Sequence, residues 1–264
     1  SLTGIKPMFE KIDLRDKNSL SNFFKKNFDI QGIIHFAALK AVGQSVNEPL
    51  LYYENNINSL VYLLQEMDSL KSKKLIFSSS CTVYGQADEL PITENVSDNE
   101  PQSPYGNTKK IGEQLINDFC KANHGVNAIS LRYFNPIGAH PSSKIGELPN
   151  GTPQNLVPFI TQTAIGKRKK LFVYGNDYST PDGTCIRDYI HVVDLANAHV
   201  VAIQRLVNKE NIKNYEFFNI GTGKGSSVFE VIETFNEVCG FNLNYKVVGR
   251  RSGDVVSAYA DTTK

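Results

Sequence analysis

The sequence predicts an α/β fold built on a mainly parallel sheet. Short apolar runs rich in β-branched and aromatic residues alternate along the chain with longer segments of helical periodicity, an order typical of parallel sheets. The run Gly-Ile-Ile-His-Phe-Ala-Ala at 32–38 is almost entirely apolar, as expected of a strand that is buried on both faces. With 264 residues, 41% of them hydrophobic and 21% charged, the chain is long enough and apolar enough to bury a substantial core.

The first half of the chain alternates regularly between strands and helices. We expect helices at Asn18–Asn27, Pro49–Met67 and Ser103–Asn123 and strands at Pro7–Leu14, Gly32–Ala38, Leu75–Ser79 and Ala128–Phe134. The third of these helices has well-marked ends. Ser103 suits the N-cap, Pro104 suits the first helical position, and Gly125 lies just beyond the last turn.

A Gly/Pro-rich stretch at 139–152 follows Asn135-Pro-Ile-Gly138 and interrupts the alternation. We place a domain boundary here, which gives an N-terminal domain of residues 1–138 and a smaller region of residues 139–264. In the second region we expect helices near Leu156–Lys167, Asp194–Leu206 and Val228–Val238 and strands near Leu171–Tyr174 and Phe217–Ile220.

The charge balance and the cysteine pattern disfavour several classes of function. Twenty-eight Lys and Arg against 27 Asp and Glu leave a formal charge of +1, so there is no electrostatic excess for binding nucleic acid or an anionic membrane. The four cysteines are scattered and the five histidines lack ligand spacing, so we expect neither a metal site nor a disulfide framework. Since no signal-like or membrane-spanning apolar run occurs, we expect a cytoplasmic protein that binds a small molecule or another protein.

The strongest local pattern is Tyr105-Gly-Asn-Thr-Lys109 on the helix that begins after Ser103. Residues four apart share one helical face, so Lys109 can lie near the Tyr105 phenol. A nearby cation would lower the phenol pKa from its usual value near ~10, which favours a role as a base. Ser80 follows a predicted strand and lies where open parallel sheets bind ligands. Taken alone, the Tyr-Lys pair fits an ordinary exposed helical pair at least as well.

Three longer motifs change that balance. They are Phe77-Ser-Ser-Ser-Cys-Thr-Val-Tyr-Gly85, Pro101-Gln-Ser-Pro-Tyr-Gly-Asn-Thr-Lys109 and Leu131-Arg-Tyr-Phe-Asn-Pro136. Together they resemble the extended short-chain dehydrogenase/reductase family, and most closely its 4-epimerases of UDP-glucose and UDP-galactose. Further matching segments are 35–46, 52–56, 175–178, 182–191 and 250–254. The resemblance implies a Rossmann-like NAD-binding domain followed by a smaller UDP-sugar-binding region.

The resemblance also implies roles for individual residues. Tyr105 would be the catalytic base, Lys109 its pKa-lowering partner and a ligand of the nicotinamide ribose, and Ser80 the hydrogen-bond partner of the sugar 4-hydroxyl. The other positions that match NAD contacts are Asp13, Leu14, Phe36, Ala37, Lys40, Asn55 and Tyr133. The positions that match UDP-sugar contacts are Asn135, Asn155, Phe172, Arg187, Tyr189, Arg251, Asp254 and Ala258.

The reaction implied is inversion of a UDP-hexose at C4 through a 4-keto intermediate, with NAD as cofactor. Ala258 stands where the family's sugar pocket meets the 2-substituent, and its small side chain implies that 2-acetamido sugars are also accepted. The resemblance further implies a homodimer that pairs the helices at 49–67 and 103–123. Their apolar residues could serve either the core or the partner: Leu60, Leu63, Leu64, Ile111, Leu115 and Phe119.

Alternative functions remain at this stage. A sugar-nucleotide 4,6-dehydratase or decarboxylase of the same superfamily is one, although Cys81 and Thr82 occupy the positions after Ser80 where dehydratases generally carry an acidic pair. A non-catalytic sugar-nucleotide-binding fragment is another. The family's Gly-rich phosphate loop has no counterpart near residue 1, so we expect the first βαβ unit to be absent and the C-terminal region to be short.

Two segments imitate functional motifs. Gly221-Thr-Gly-Lys-Gly-Ser-Ser227 resembles a phosphate-binding loop, but Gly follows Lys224 where a hydroxyl residue is required, so a tight turn is the better interpretation. The basic run Lys167-Arg-Lys-Lys170 stands at a predicted helix C-terminus, where cations complement the helix dipole. We interpret it as a solvated helix end.

Overall fold

The polypeptide forms ten strands and seven α-helices within residues 3–96 and 99–264, the ranges that the computed structural model describes. The strands are β1 Ile33–His35, β2 Lys74–Ser78, β3 Asn127–Tyr133, β4 Asn135–Ile137, β5 Leu171–Tyr174, β6 Ile186–His191, β7 Tyr215–Ile220, β8 Gly225–Ser227, β9 Tyr245–Val248 and β10 Ser257–Ala258. The helices are α1 Lys17–Lys26, α2 Val42–Asn47, α3 Pro49–Met67, α4 Pro104–Ala122, α5 Leu156–Ala164, α6 Val192–Val207 and α7 Val228–Cys239. A short 3₁₀ helix spans Cys81–Tyr84.

The main sheet has four parallel strands in the order β1-β2-β3-β7. The predicted α/β class with a parallel sheet is therefore confirmed. All four carboxyl ends meet at one edge of the sheet, which is where such sheets bind ligands. Strand β7 joins this sheet from the far side of the predicted boundary at 138/139.

Helices cover both faces of the main sheet. Side chains alternate between the faces along each strand. On β2, Leu75 and Phe77 pack with Leu60 and Ile116 of α3 and α4. Ile76 points the other way, into a cluster that includes Leu206 of α6. Helices α3 and α4 thus lie on one face and α6 lies on the other, so the helix that carries Tyr105 is fixed directly against β2.

Two smaller sheets complete the molecule. Strands β10, β6 and β4 lie side by side in parallel, and β8 pairs antiparallel with β6. Strands β5 and β9 form a parallel pair, which packs with α5 and α7 around Ile160, Val173 and Ile232. Because β4 follows β3 after a single residue, the sheet that contains β4 begins at the carboxyl edge of the main sheet.

Most predicted elements occur within a few residues of their predicted bounds. The strand predicted at Pro7–Leu14 is wrong: the segment pairs with no described strand, and Met8 and Phe9 are 91% and 84% exposed. An apolar run without a partner strand leaves its backbone groups to water, so it does not become a strand. The helix predicted to reach Lys167 ends at Ala164, because Gly166 adopts a left-handed φ of 76° that stops it. Six elements were not predicted from the sequence: α2, β4, β6, β8, β9 and β10.

No described helix has the combination of length and apolar character that crossing a bilayer would require.

His35 ends β1 beneath the carboxyl edge of the main sheet. Its side chain is 4% exposed, and its ring stacks on Phe77 with 6.0 Å between centroids. Burial, with a smaller contribution from the nearby Lys109 cation, lowers the pKa of His35 to about 4. The imidazole is therefore neutral in the folded protein at pH 6, where an unfolded histidine is largely protonated.

We expect His35 to make the fold sensitive to mild acid. Its folded pKa lies below its unfolded value near 6.5, so the unfolded state binds more protons between about pH 4 and 6.5 and stability falls as pH drops through that window. His35→Gln should reduce the loss between pH 7.5 and 5.0 by about 1–2 kcal/mol. Urea unfolding of both proteins at the two pH values measures it. Equal losses in the two proteins would contradict the assignment.

Candidate active site

The corner between β2 and the 3₁₀ helix places Ser80 at the carboxyl edge of the main sheet. Ser80 caps the 3₁₀ helix: its hydroxyl oxygen accepts hydrogen bonds from the Thr82 N–H at 3.2 Å and from the Thr82 hydroxyl at 3.0 Å. The cap fixes the side chain on the turn that leaves the strand. Ser80 is itself buried.

Helix α4 brings Tyr105 and Lys109 to the same place. Ser103 caps it as predicted, accepting a hydrogen bond from the Gly106 N–H at 3.2 Å. A Cβ on Gly106 would lie 2.9 Å from the Thr82 carbonyl oxygen, so only glycine lets the first turn approach the 3₁₀ helix this closely. Tyr105 and Lys109 are 8% and 4% exposed, which excludes the exposed helical pair considered from the sequence.

Burial dominates the titration of both side chains. The pKa of the Tyr105 phenol is raised far above its usual value, chiefly by burial, and hydrogen bonding to Ser80 opposes the rise. Burial lowers the pKa of Lys109 to about 8, against the opposing influence of Glu113. The sequence led us to expect a lowered phenol pKa. The phenol pKa is raised instead because burial dominates it. The Lys109 ammonium donates to the Ser78 carbonyl at 2.7 Å, and its Nζ lies 5.9 Å from the Tyr105 ring centroid.

A buried ion pair joins α4 to the strands beneath it. The Arg132 guanidinium on β3 donates to both carboxylate oxygens of Glu113, with Nε 2.9 Å from Oε1. The Ser79 hydroxyl donates to the same carboxylate. A third contact runs from Arg132 Nη1 to the Tyr84 hydroxyl at 3.1 Å. Glu113 therefore ties the residue before Ser80 to the helix that carries Tyr105 and Lys109.

An aromatic and imidazole wall lies beside Lys109. His199 of α6 bonds through Nδ1 to the Leu195 carbonyl at 2.8 Å and through Nε2 to the Ser78 hydroxyl at 3.1 Å. The Phe36 ring is 59% exposed and lies 4.5 Å from the His199 ring, centroid to centroid. Tyr133 completes the wall at 6.1 Å from His199. This wall offers flat surfaces against which a planar ring can pack.

A cleft of about 400 Å³ opens over these groups. Predicted site residues that line it are Phe36, Lys40, Ser80, Tyr105, Lys109, Tyr133, Asn135, Asn155, Arg187, Arg251, Asp254 and Ala258. A second cavity of about 200 Å³ adjoins it, and Phe172 and Tyr189 line its wall. The two share Asn135, Asn155, Arg187, Arg251 and Asp254 in their walls, so together they form one continuous groove.

A charged cluster stands where the two cavities meet. Arg251 donates to both oxygens of Asp254, at 3.1 Å from Nε and 2.8 Å from Nη2. Arg187 Nη2 lies 3.8 Å from the same carboxylate. Two guanidinium groups therefore face one carboxylate, which leaves donors for a further anion.

Four of the predicted NAD contacts lie elsewhere. Asp13, Leu14, Ala37 and Asn55 line neither cavity. The Asp13 carboxylate receives Arg15 Nη2 at 2.7 Å, and this hydrogen bonding lowers the pKa of Asp13 to about 2. The Asn55 amide donates to Asn56 Oδ1 at 3.0 Å. Their roles remain predictions.

Sequence reasoning missed Glu113, His199 and Ser78. Glu113 stands four residues after Lys109, so its spacing on the helix face was a usable signal. His199 lies 121 residues from Ser78, and no local pattern connects them.

Comparison with known proteins gives consistent matches. Residues 3–221 match the NAD dependent epimerase/dehydratase family. A UDP-glucose 4-epimerase of Yersinia pestis is 48% identical over 264 residues, covering 100% of this chain and 77% of that protein. The structure of UDP-glucose 4-epimerase from Bifidobacterium longum in complex with NAD+ and UDP superposes with a TM-score of 0.95 at 44% identity, covering 100% and 77% of the two chains. A UDP-Glc/GlcNAc 4-epimerase from Campylobacter jejuni superposes with a TM-score of 0.80 at 35% identity, covering 99% and 77%.

Glu113→Gln should destabilise the protein by about 3–5 kcal/mol, because it leaves the Arg132 guanidinium buried without its counter-ion. Asp118→Asn on the same helix is the matched control. Its carboxylate is 63% exposed and lies 3.4 Å from Lys121, so we expect a change below about 0.5 kcal/mol. Urea unfolding at pH 7.5 measures both. A Glu113 variant as stable as the Asp118 variant would contradict the importance of the pair.

Proposed function

Because the chain belongs to the NAD dependent epimerase/dehydratase family, we propose that it interconverts UDP-glucose and UDP-galactose by inverting C4 of the hexose with NAD as cofactor. One observation carries the proposal. A buried phenol, Tyr105, lies with Ser80 and Lys109 in a cleft that continues into a groove bordered by two arginines. Such a groove suits a sugar diphosphate, whose reacting carbon is then close to the phenol.

The cleft has the chemistry that NAD requires. The Lys109 ammonium has three N–H donors, of which one donates to the Ser78 carbonyl, so donors remain for ribose hydroxyls. The exposed Phe36 ring and the Tyr133 side chain supply the surface for a planar ring, and Lys40 supplies a cation at the cleft rim. When bound, NAD supplies a hydride acceptor and donor and brings a positive charge into the cleft. We propose Phe36, Lys40, Tyr105, Lys109 and Tyr133 as its ligands.

Tyr105 exchanges the proton of the sugar 4-hydroxyl. Burial raises the pKa of the phenol, so the phenol by itself stays protonated and cannot accept a proton. Its ionisation therefore depends on positive charge in the cleft. Ser80 hydrogen-bonds the 4-hydroxyl and keeps it in line with the phenol oxygen. Lys109, whose Nζ lies 5.9 Å from the Tyr105 ring centroid, orients the cofactor ribose. As the sugar passes through a 4-keto form, the residues that line the groove hold it in place.

The second cavity holds the nucleotide half of the substrate. Arg187 and Arg251 bind the diphosphate, because guanidinium groups pair with phosphate oxygens in bidentate geometry. Asp254 accepts from ribose hydroxyls, and Asn135 and Asn155 bind the sugar-phosphate junction. Phe172 and Tyr189 flank the uracil ring. All seven residues line this cavity.

We propose a cytoplasmic homodimer. The three α3 leucines Leu60, Leu63 and Leu64 are fully within the core. Ile111, Leu115 and Phe119 of α4 are only half-buried. The Asn107 amide donates to the Tyr53 hydroxyl at 2.7 Å, which holds α3 and α4 side by side. The half-buried α4 residues give this helix pair a partly apolar surface. This surface pairs with its copy as a four-helix bundle.

Tyr105→Phe should lower the rate with UDP-galactose by ~10²-fold or more, because only the phenolic oxygen that transfers the proton is removed. Tyr62→Phe is the matched control: it removes a phenolic oxygen from α3, outside both cavities, and should keep the wild-type rate. A coupled assay of UDP-glucose formation measures both. If Tyr105→Phe also keeps the rate, the proposed base is wrong, and if the wild type shows no conversion, the proposed reaction is wrong.

Ala258 should let the enzyme act on UDP-N-acetylgalactosamine as well as on UDP-galactose. Its methyl group lines the cleft, and a phenol ring there would overlap the 2-acetamido group at a cost of about 1–3 kcal/mol. Ala258→Tyr should therefore lower kcat/KM for the acetylated sugar by about 5- to 150-fold relative to UDP-galactose. Parallel assays of both substrates test this. Failure of the wild type on the acetylated sugar, or an unchanged ratio in the variant, would remove Ala258 from this role.

Light scattering at micromolar concentration should give twice the 29.4 kDa mass of one chain. Ile111→Lys, which places a charge on the half-buried face of α4, should reduce the mass to one chain. A wild-type protein that scatters as a single chain would rule out the dimer.

A further inference from the structure

Asp188 is a fully buried carboxylate in the middle of β6, between two proposed substrate ligands. Its exposure is 0%, whereas Arg187 and Tyr189 on either side line the substrate groove. Neighbouring residues of a strand point to opposite faces, so Asp188 points away from the groove. The proposed reaction uses no residue on that face.

The Asp188 carboxylate receives four hydrogen bonds. Oδ1 accepts from the Thr222 N–H at 2.8 Å and from the Thr222 hydroxyl at 2.7 Å. Oδ2 accepts from the Gly223 N–H at 3.0 Å and from the Ala260 N–H at 3.2 Å. An ionised carboxylate can only accept, and all four contacts are donations, so its hydrogen-bonding capacity is met.

These contacts explain the Gly-rich segment that resembles a phosphate loop. A Cβ on Gly221 would lie 2.4 Å from Asp188 Oδ2, and Gly223 has a left-handed φ of 76°. Successive N–H groups in such a turn form a concave anion site. Here the anion is an internal carboxylate, and the glycines of the predicted tight turn let the backbone approach it closely.

The fourth donor, the Ala260 N–H, lies just after the strand whose Ala258 lines the cleft. Ala260 follows β10, which pairs with β6 through Ser257 opposite Ile186 and Ala258 opposite Arg187. The segment just before β10 carries Arg251 and Asp254. Asp188 therefore ties two parts of the groove wall together. One is β6, which carries Arg187 and Tyr189. The other is the segment around β10, which follows Arg251 and Asp254.

We propose that Asp188 is a positioning residue for the UDP-sugar: its carboxylate, held by Thr222, Gly223 and Ala260, sets the spacing between Arg187 on β6 and the Arg251–Asp254 segment before β10. This inference rests on the proposed function. Tyr105 and Lys109 stand on α4, and no hydrogen bond among the described residues joins either of them to Asp188, Thr222, Gly223 or Ala260. A disturbance at Asp188 therefore weakens substrate binding and leaves the proton transfer intact.

Thr222 offers a mild test, because its side chain is exposed and is one of four donors. Thr222→Val removes the hydroxyl at constant shape, and Thr222→Ser restores it. We expect Thr222→Val to raise KM for UDP-galactose and the Kd of UDP by about fivefold or more, with kcat within about twofold, and Thr222→Ser to resemble the wild type. Asp188→Asn should act in the same direction and more strongly. Thr161→Val, on the exposed face of α5, is the matched control and should change neither constant.

Steady-state kinetics and calorimetry with UDP, each on the NAD-loaded full chain, give the constants, and circular dichroism verifies folding. A higher KM and Kd in Thr222→Val with rescue by Thr222→Ser supports the proposal. Unchanged UDP affinity, or a lower kcat at constant KM, overturns it and leaves Asp188 a stabilising residue only. If Asp188→Asn does not fold, the Thr222 pair decides. A wild type that binds UDP but fails to epimerise contradicts the proposed function alone, whereas one that does not bind UDP overturns both.

Discussion

The geometry of the active site depends on the ion pair between Glu113 and Arg132. Both side chains are nearly removed from water, at 8% and 12% exposure, so neither charge is tolerable without the other. Glu113 stands on the helix that carries Tyr105 and Lys109, Arg132 stands on the neighbouring strand, and the Ser79 hydroxyl binds the same carboxylate. Any shift of α4 along β2 would break these contacts. The pair thus fixes the relative position of the phenol, the ammonium and Ser80.

A second carboxylate organises the other half of the groove. Glu113 joins a helix to the main sheet, and Asp188 joins two strands to a turn, with backbone N–H groups in place of a guanidinium. Neither carboxylate lines the groove, and each holds an element that presents side chains to it. The proposed reacting half and the proposed nucleotide-binding half are therefore held by separate networks. Substitutions in one network should affect one kinetic constant more than the other.

The elements predicted correctly from the sequence are those whose signals lie within a few neighbouring residues. Helix α3 begins at Pro49 and α4 begins at Pro104 after the Ser103 cap, as expected from the punctuation of the chain. Tyr105, Lys109 and Ser80 were identified because they lie in contiguous motifs, at 77–85 and 101–109, that carry the family resemblance. Strand β6 was missed because Arg187 and Asp188 interrupt its apolar run, and both find partners 34 to 72 residues away. From the nearby charge alone, we expected the Tyr105 pKa to be lowered. In the structure burial raises it, because burial is the larger effect.

The cluster of Arg187, Arg251 and Asp254 has a consequence for the entry of any dianionic ligand. Arg251 already holds a carboxylate through two hydrogen bonds, and Arg187 lies within ion-pair distance of it. A diphosphate therefore does not meet bare cations. It exchanges with an internal counter-ion, so part of the cost of desolvating the guanidinium groups is already met during folding. We expect the net affinity to reflect how much more strongly the ligand than Asp254 binds the same two guanidinium groups. Discrimination between ligands should depend on how many guanidinium donors each ligand leaves unpaired.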